Sequence, residues 1–198
     1  MREIKLSETN DKILEILKNS REIKLELCSG LKKGVNGWTT LDMNDISDLF
    51  WDLKTGIPFP DRSISKIYSS HFLEHLTFPE IKSLLNECLR VLKKDGVFSI
   101  SVPNARLFIS AYYNNDILFW EQLPLHYMPA FNNTSSLIDL VNYIAYMDGH
   151  HKYMFDEENL IKILTSSGFQ QVCLRDFDPE IDSAERRHES IYAIGFSG

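Results

Sequence analysis

The segment from Lys66 to Val102 constrains the fold most. Lys66-Ile-Tyr-Ser-Ser70 is a short β-branched and aromatic run of the kind that forms a strand. Pro79 then sits where a first-turn proline is tolerated, and Ile81, Leu84, Leu85, Cys88 and Leu92 recur at the spacing of one buried helix face. Lys93 and Lys94 offer a cationic last turn and Gly96 a stop, after which Val97–Val102 reads as a second apolar strand, ended by Pro103. Two apolar strands joined through a helix predict a parallel α/β sheet, because parallel neighbours need a long crossover and are buried on both faces.

Upstream, Ser7 is placed to cap a helix over residues 8–19, with Ile13, Ile16 and Leu17 on one face. Ile23–Leu27 alternates and runs into a Cys28-Ser29-Gly30 turn, and Trp38–Asp42 reads as a second strand. So few residues separate the two that any crossover helix between them is vestigial. Asp48–Asp52 is a candidate third strand. From Asn104 onwards the periodicity dissolves into an aromatic-rich segment, too long for a plain loop, with a helix expected near Ser135–Met147. Asp156 then caps a helix carrying Leu160, Ile161 and Leu164, stopped by Gly168, and Phe169–Leu174 and Ser190–Phe196 are the last strands. We therefore read 1–198 as a single domain with 104–152 as an inserted substrate-cap region.

A formal charge of -7 argues against a broad nucleic-acid footprint, so nucleic acid is not an expected partner. No apolar run has membrane-spanning length and the first twelve residues mix both charge signs, so the expected location is cytoplasmic, without a membrane partner. Cys28, Cys88 and Cys173 are an odd set without paired spacing, which fits reduced, mostly buried thiols. Oligomeric state is left open.

Residues 52–76 carry the chemistry and admit two readings. His71-Phe-Leu-Glu74-His75 is a literal H-x-x-E-H, the pattern of a class of zinc peptidases. That reading requires a continuous helix with His71 and His75 on one face, whereas the motif follows a strand directly and Thr77-Phe78-Pro79 starts a new helix. In the other reading, Cys28–Gly30, Asp42, Asp52 and His71 stand at successive strand ends of an open parallel sheet, where ligands of such folds bind.

Taken in order, LELCSG (25–30), GWTTLD (37–42), WDL with PFPD (51–61), IYSSHFLEHL (67–76), ECLRVLKKDGVFSISVPN (87–104) and HKYMFDEENLIKILTSSGF (151–169) resemble a class I S-adenosylmethionine-dependent methyltransferase of the methyltransferase type 11-like kind. The resemblance implies a Rossmann-like open, mostly parallel sheet flanked by helices, and S-adenosyl-L-methionine as cofactor. It implies cofactor-binding roles for Cys28, Ser29, Gly30, Asp42, Met43, Asp52, Leu53, Ser70 and His71, with no metal. Cys28 departs from the family pattern, in which a glycine is usual there.

Physical reasons stand beside these roles. Gly30 lets backbone approach a ligand, Asp42 offers two acceptor oxygens to vicinal hydroxyls beside Met43, and Asp52 with Leu53 suits an adenine edge. Asp42 and Asp52 equally suit turn or cap roles. His71 is the candidate base or an orienting residue, Glu74 and His75 orient the loop, and His126, His150 and His151 are alternative bases. Tyr112, Tyr113, Trp120 and Tyr127 read as cap packing or an aromatic wall, and Arg186, Arg187 and His188 as a solvated hairpin or an anion-holding edge. The expected reaction is methyl transfer to an O or N of a small-molecule or saccharide-like acceptor. The alternatives are a non-catalytic S-adenosylmethionine-binding module and the H-x-x-E-H zinc peptidase.

Overall fold

A computed structural model describes residues 2–123 and 136–198. Seven strands, β1 (Lys24–Leu27), β2 (Trp38–Asp42), β3 (Leu49–Phe50), β4 (Ile64–Ser70), β5 (Leu92–Pro103), β6 (Gln170–Leu174) and β7 (Ser190–Phe196), form one sheet in the order β3-β2-β1-β4-β5-β7-β6. Neighbours are parallel from β3 to β5, whereas β7 runs antiparallel to both β5 and β6. The helices are α1 (Arg2–Asn19), α2 (Phe78–Val91), α3 (Ala105–Asn114), α4 (Ile117–Gln122), α5 (Ile138–Tyr146) and α6 (Glu157–Ser166). This is the mostly parallel α/β sheet the strand–helix–strand pattern predicts, and no helix joins β1 to β2.

The strands form where alternation or apolar runs let side chains enter a core. Leu25 and Leu27 of β1, Leu41 of β2, Ile67 of β4 and Phe98, Ile100 and Val102 of β5 are all fully buried. Helix α2 turns Ile81, Leu84, Leu85, Cys88 and Val91 into the same core, each burial contributing about 1.5–3 kcal/mol for a large side chain. Its first turn is closed by Glu80, whose Oε2 accepts from the Thr77 backbone N–H at 2.8 Å. Residues 105–147 hold a second apolar cluster, in which Phe108 and Ala111 of α3 meet Leu140, Tyr143 and Ile144 of α5. No described helix is long and apolar enough to cross a membrane.

Three expectations are corrected. Helix α1 begins at Arg2, so Ser7 lies inside it rather than capping it. Helix α2 ends at Val91: Leu92 turns extended to pair with Ile64, and the Lys93 amine reaches the Arg21 carbonyl at 2.9 Å instead of closing a last turn. The left-handed residue of that bend is Asp95, φ 59°, while a Cβ on Gly96 would come within 2.7 Å of the Lys93 carbonyl oxygen. Of the free cysteines, Cys88 is buried and Cys28 partly so, but Cys173 is exposed on the edge strand β6.

Candidate functional site

The register of the sheet builds the site. Leu27 of β1 stands opposite Leu41 of β2 and Ser69 of β4, so Cys28, Asp42 and Ser70 leave their strands at one level. Strand order reverses between β1 and β4, since the chain builds β2 and β3 on one side of β1 before returning to place β4 on the other. A crevice opens at the carboxyl ends of the strands at such a switch point.

Two adjoining cavities occupy it, of about 440 and 530 Å³, sharing Cys28, Asp42, Phe72, His75 and Lys152. The first extends past Met43, Trp51, Asp52 and Leu53, and the second past Gly30, His71 and the Gly149–His150 bend. Seven of the nine sequence-derived cofactor residues thus line one cleft: Cys28, Gly30, Asp42, Met43, Asp52, Leu53 and His71. Ser29 and Ser70 do not. Ser29 is buried with its hydroxyl 3.5 Å from the Lys32 carbonyl, and the Ser70 hydroxyl pairs with that of Ser101 at 3.2 Å. Neighbouring Ser69 is buried as well.

Asp42 holds the turn together as well as facing the cleft. Its Oδ2 accepts from the Gly30 amide at 2.9 Å and its Oδ1 from the Met43 amide at 2.6 Å, and each oxygen keeps a further lone pair. Cys28 and Gly30 both have left-handed backbone, φ 51° and 62°. Burial and the nearby Asp42 and Asp52 charges push the Cys28 thiol up, so it stays protonated. Asp52 combines both of its readings: it lines the cleft, and its Oδ1 accepts from the Lys54 amide at 3.0 Å as the cap of the turn at Leu53–Thr55. Gly56 ends that turn at φ 97°, where a Cβ would press on the Glu87 carboxylate.

His71 follows β4 in a left-handed conformation, φ 49°, with its amide bonded to the Ser101 carbonyl. Its Nε2 lies 2.7 Å from the Ser190 hydroxyl. That hydroxyl spends its proton on the Arg186 carbonyl, also at 2.7 Å, so Nε2–H is the donor and Nδ1 keeps the lone pair. Nδ1 faces Glu74 Oε1 at 3.7 Å. Burial, then the Arg186 charge, holds His71 well below the usual histidine range, and burial pushes the Glu74 carboxyl up to about 8. The helix that an H-x-x-E-H peptidase needs is not formed: Leu73–His75 is a single 3₁₀ turn between β4 and α2. Among the described residues, one set of side chains has metal-ligand proximity, and it joins Glu74 and His75 to His151 rather than to His71.

Trp51, Phe72 and Lys152 also line the cleft, and sequence reasoning passed over them. Trp51 and Phe72 each adjoin a strand-end residue that was singled out, which is the signal available for them. Tyr112 and Tyr113 form neither core nor cleft wall, being 43% and 82% exposed. His126, Tyr127 and the Trp120 side chain lie outside the described residues. Of the Arg186–His188 group, Arg186 stands near His71 and Arg187 stacks over Phe177 at 5.0 Å.

Residues 50–100, running from the end of β3 through β4 and α2 into β5, match the family model described as methyltransferase domain. The fold is shared with a SAM-dependent methyltransferase from Archaeoglobus fulgidus, at 18% identity over 100% of this chain and 95% of that one, TM-score 0.53. A SAM-dependent methyltransferase from Thermotoga maritima, described as a possible histamine N-methyltransferase, is similar at 13% identity over 96% and 91%, TM-score 0.51. Haemonchus contortus phosphoethanolamine N-methyltransferase 2, solved with S-adenosyl-L-methionine, is similar at 11% identity over 94% of this chain and 52% of that one, TM-score 0.51. No curated protein matches the chain. The shared fold, with its reversed last strand, is that of class I methyltransferases. The family match, confined to residues 50–100, falls within that shared fold.

Proposed function

We propose that this chain transfers a methyl group from S-adenosyl-L-methionine to an oxygen or nitrogen of a small-molecule or saccharide-like acceptor. The carrying observation is the line of Gly30, Asp42 and Asp52 along one wall of a crevice at the switch point of the sheet. The cofactor supplies an electrophilic methyl; the side chains supply binding, orientation and exclusion of water. The exposed lone pairs of Asp42 suit the ribose hydroxyls, and the open left-handed turn at Gly30 lets backbone approach the methionine end. Asp52, Leu53 and Trp51 suit the adenine, a flat ring with an exocyclic donor.

Beyond Cys28 and Asp42, the cavity lined by Phe72, His75, His150 and Lys152 supports an acceptor with hydroxyl or amino groups and an apolar face. Residues 104–152 act as its cap: they carry an apolar cluster of their own, and their last residues form one lip of the cleft. His71 is a positioning residue in this reading, because its N–H is committed to Ser190 and ties the end of β4 to β7.

Calorimetric titration of the full chain with S-adenosyl-L-methionine tests the site. Asp42→Ala is expected to weaken binding at least about tenfold through two lost charge-assisted bonds. Unchanged affinity in that variant would overturn the placement. Labelled methyl transfer across a panel of hydroxylated, amino and saccharide acceptors then tests the acceptor class.

A further inference from the structure

We propose that Glu74, His75 and His151 form a site for a zinc-type divalent cation at the wall of the cleft. One donor atom from each of the three lies within 4.8 Å of the others. The protonation pattern of both rings is fixed by backbone carbonyls. His75 Nδ1 lies 3.1 Å from the His150 carbonyl and His151 Nδ1 lies 3.0 Å from the Ile144 carbonyl, and a carbonyl only accepts. Each Nδ1 therefore carries the hydrogen and each Nε2 keeps its lone pair. This is how metal-bound imidazoles are held, their second nitrogen donating to a carbonyl that sets tautomer and ring orientation.

The third group supplies the independent sign. Glu74 is 2% exposed, and its Oε2 has no hydrogen-bond partner. Buried polar atoms are paired in nearly all native structures, so a buried carboxyl group with one orphaned oxygen, grouped with two imidazoles, asks for a cation. His75 Nε2 is 3.9 Å from Glu74 Oε1, and the His75 and His151 rings meet edge to face with centroids 5.0 Å apart. Ligand bonds of about 2.0–2.2 Å bring donor atoms of a tetrahedral site to roughly 3.3–3.5 Å, so binding draws the three together by up to about 1.5 Å. His75, a third exposed at its side chain, has room to move.

Two imidazoles and one carboxylate select zinc-type cations over magnesium or calcium, which prefer all-oxygen shells. Three protein ligands leave a fourth position for water or an acceptor oxygen, and His75 lines the cavity beyond Cys28. The H-x-x-E-H pattern thus contributes its last two residues to a site completed by His151, from the far end of the 104–152 segment, whereas the sequence reading had expected no metal.

The full chain, stripped with chelator and dialysed, is titrated calorimetrically with zinc chloride, and cobalt is used to read coordination from its visible bands. The expected result is one zinc per chain, undisturbed by excess magnesium, with cobalt bands of low-symmetry nitrogen and oxygen coordination. Affinity should fall at least about tenfold in His75→Gln and His151→Asn. Equal affinity in both variants, or no stoichiometric zinc or cobalt binding by the folded wild type, would overturn the site. His75→Gln alters a partly exposed residue and is the variant expected to stay folded, with circular dichroism as the check. Titrating the zinc-free protein with S-adenosyl-L-methionine separates a failure here from a failure of the cofactor assignment.

Discussion

Cys28 explains its own departure from the glycine that the resemblance leads one to expect. Its φ of 51° is a region that costs a residue with a Cβ about 1–2 kcal/mol, which is the physical reason a glycine suits that turn. Cys28→Gly should therefore leave stability within about 1 kcal/mol of wild type, relief of strain offsetting a more flexible unfolded chain. Cys28→Val should lose about 1–3 kcal/mol, because a branched Cβ resists that conformation; urea unfolding of both reads the difference. Gly34 is constrained by space instead: a Cβ there would fall 1.9 Å from the Trp38 carbonyl oxygen. Gly34→Ala should cost about 1–3 kcal/mol as the β1–β2 connection shifts. Legibility at this scale depended on strand ends. Asp42, Asp52 and His71 were found because each closes a short apolar run, whereas Ser29 and Ser70, one residue away from such positions, point elsewhere. The meeting of His75 with His151 was not legible, since periodicity carries nothing about contacts across that much chain.

Elements with strong local signals appeared where their residues placed them. Strand β2 was read to the residue between Gly37 and its closing aspartate, and α6 starts at the expected Asp156, whose Oδ1 accepts from the Asn159 amide at 2.9 Å. The end of α2 was misread because Lys93, Lys94 and Gly96 satisfy a helix-stop pattern, yet pairing of Leu92 with Ile64 outweighs it. Tertiary contact decided what local preference left close to balanced. The cap of α6 gives a pH-dependent test. The Asn159 amide, and then the Arg106 cation, hold the Asp156 carboxyl below its ordinary range. A group with a depressed folded pKa stabilises above its unfolded pKa, so this contribution is present at neutral pH and is lost as pH falls below about 4. Asp156→Ala should cost about 1 kcal/mol at pH 7 and progressively less in acid. Asp156→Asn should keep most of the cap while flattening that slope, as followed by thermal unfolding across pH.

Across the whole molecule, a buried polar knot joins the end of the chain to the middle of the sheet. Asp182 accepts from the Tyr68 hydroxyl at 2.8 Å, from Arg175 Nη2 at 2.8 Å and from the Asp178 amide at 2.7 Å, while Arg175 Nε reaches Ser99 at 2.8 Å. Asp182→Ala leaves the Arg175 cation uncompensated in a mostly buried place and should destabilise by about 3–5 kcal/mol, measurable as a drop in denaturant midpoint. The parallel half of the sheet was legible from its crossover helix, but the position of β7 was not, because nothing local says that Ser190–Phe196 inserts between β5 and the earlier strand β6. That insertion has a consequence for the order of events on the ribosome. Six strands and every described helix emerge before the piece that joins them, so β5 and β6 each wait with an open, unsatisfied edge until residue 196 has left the exit tunnel. The nascent chain passes through its most adhesive state just before β7 emerges.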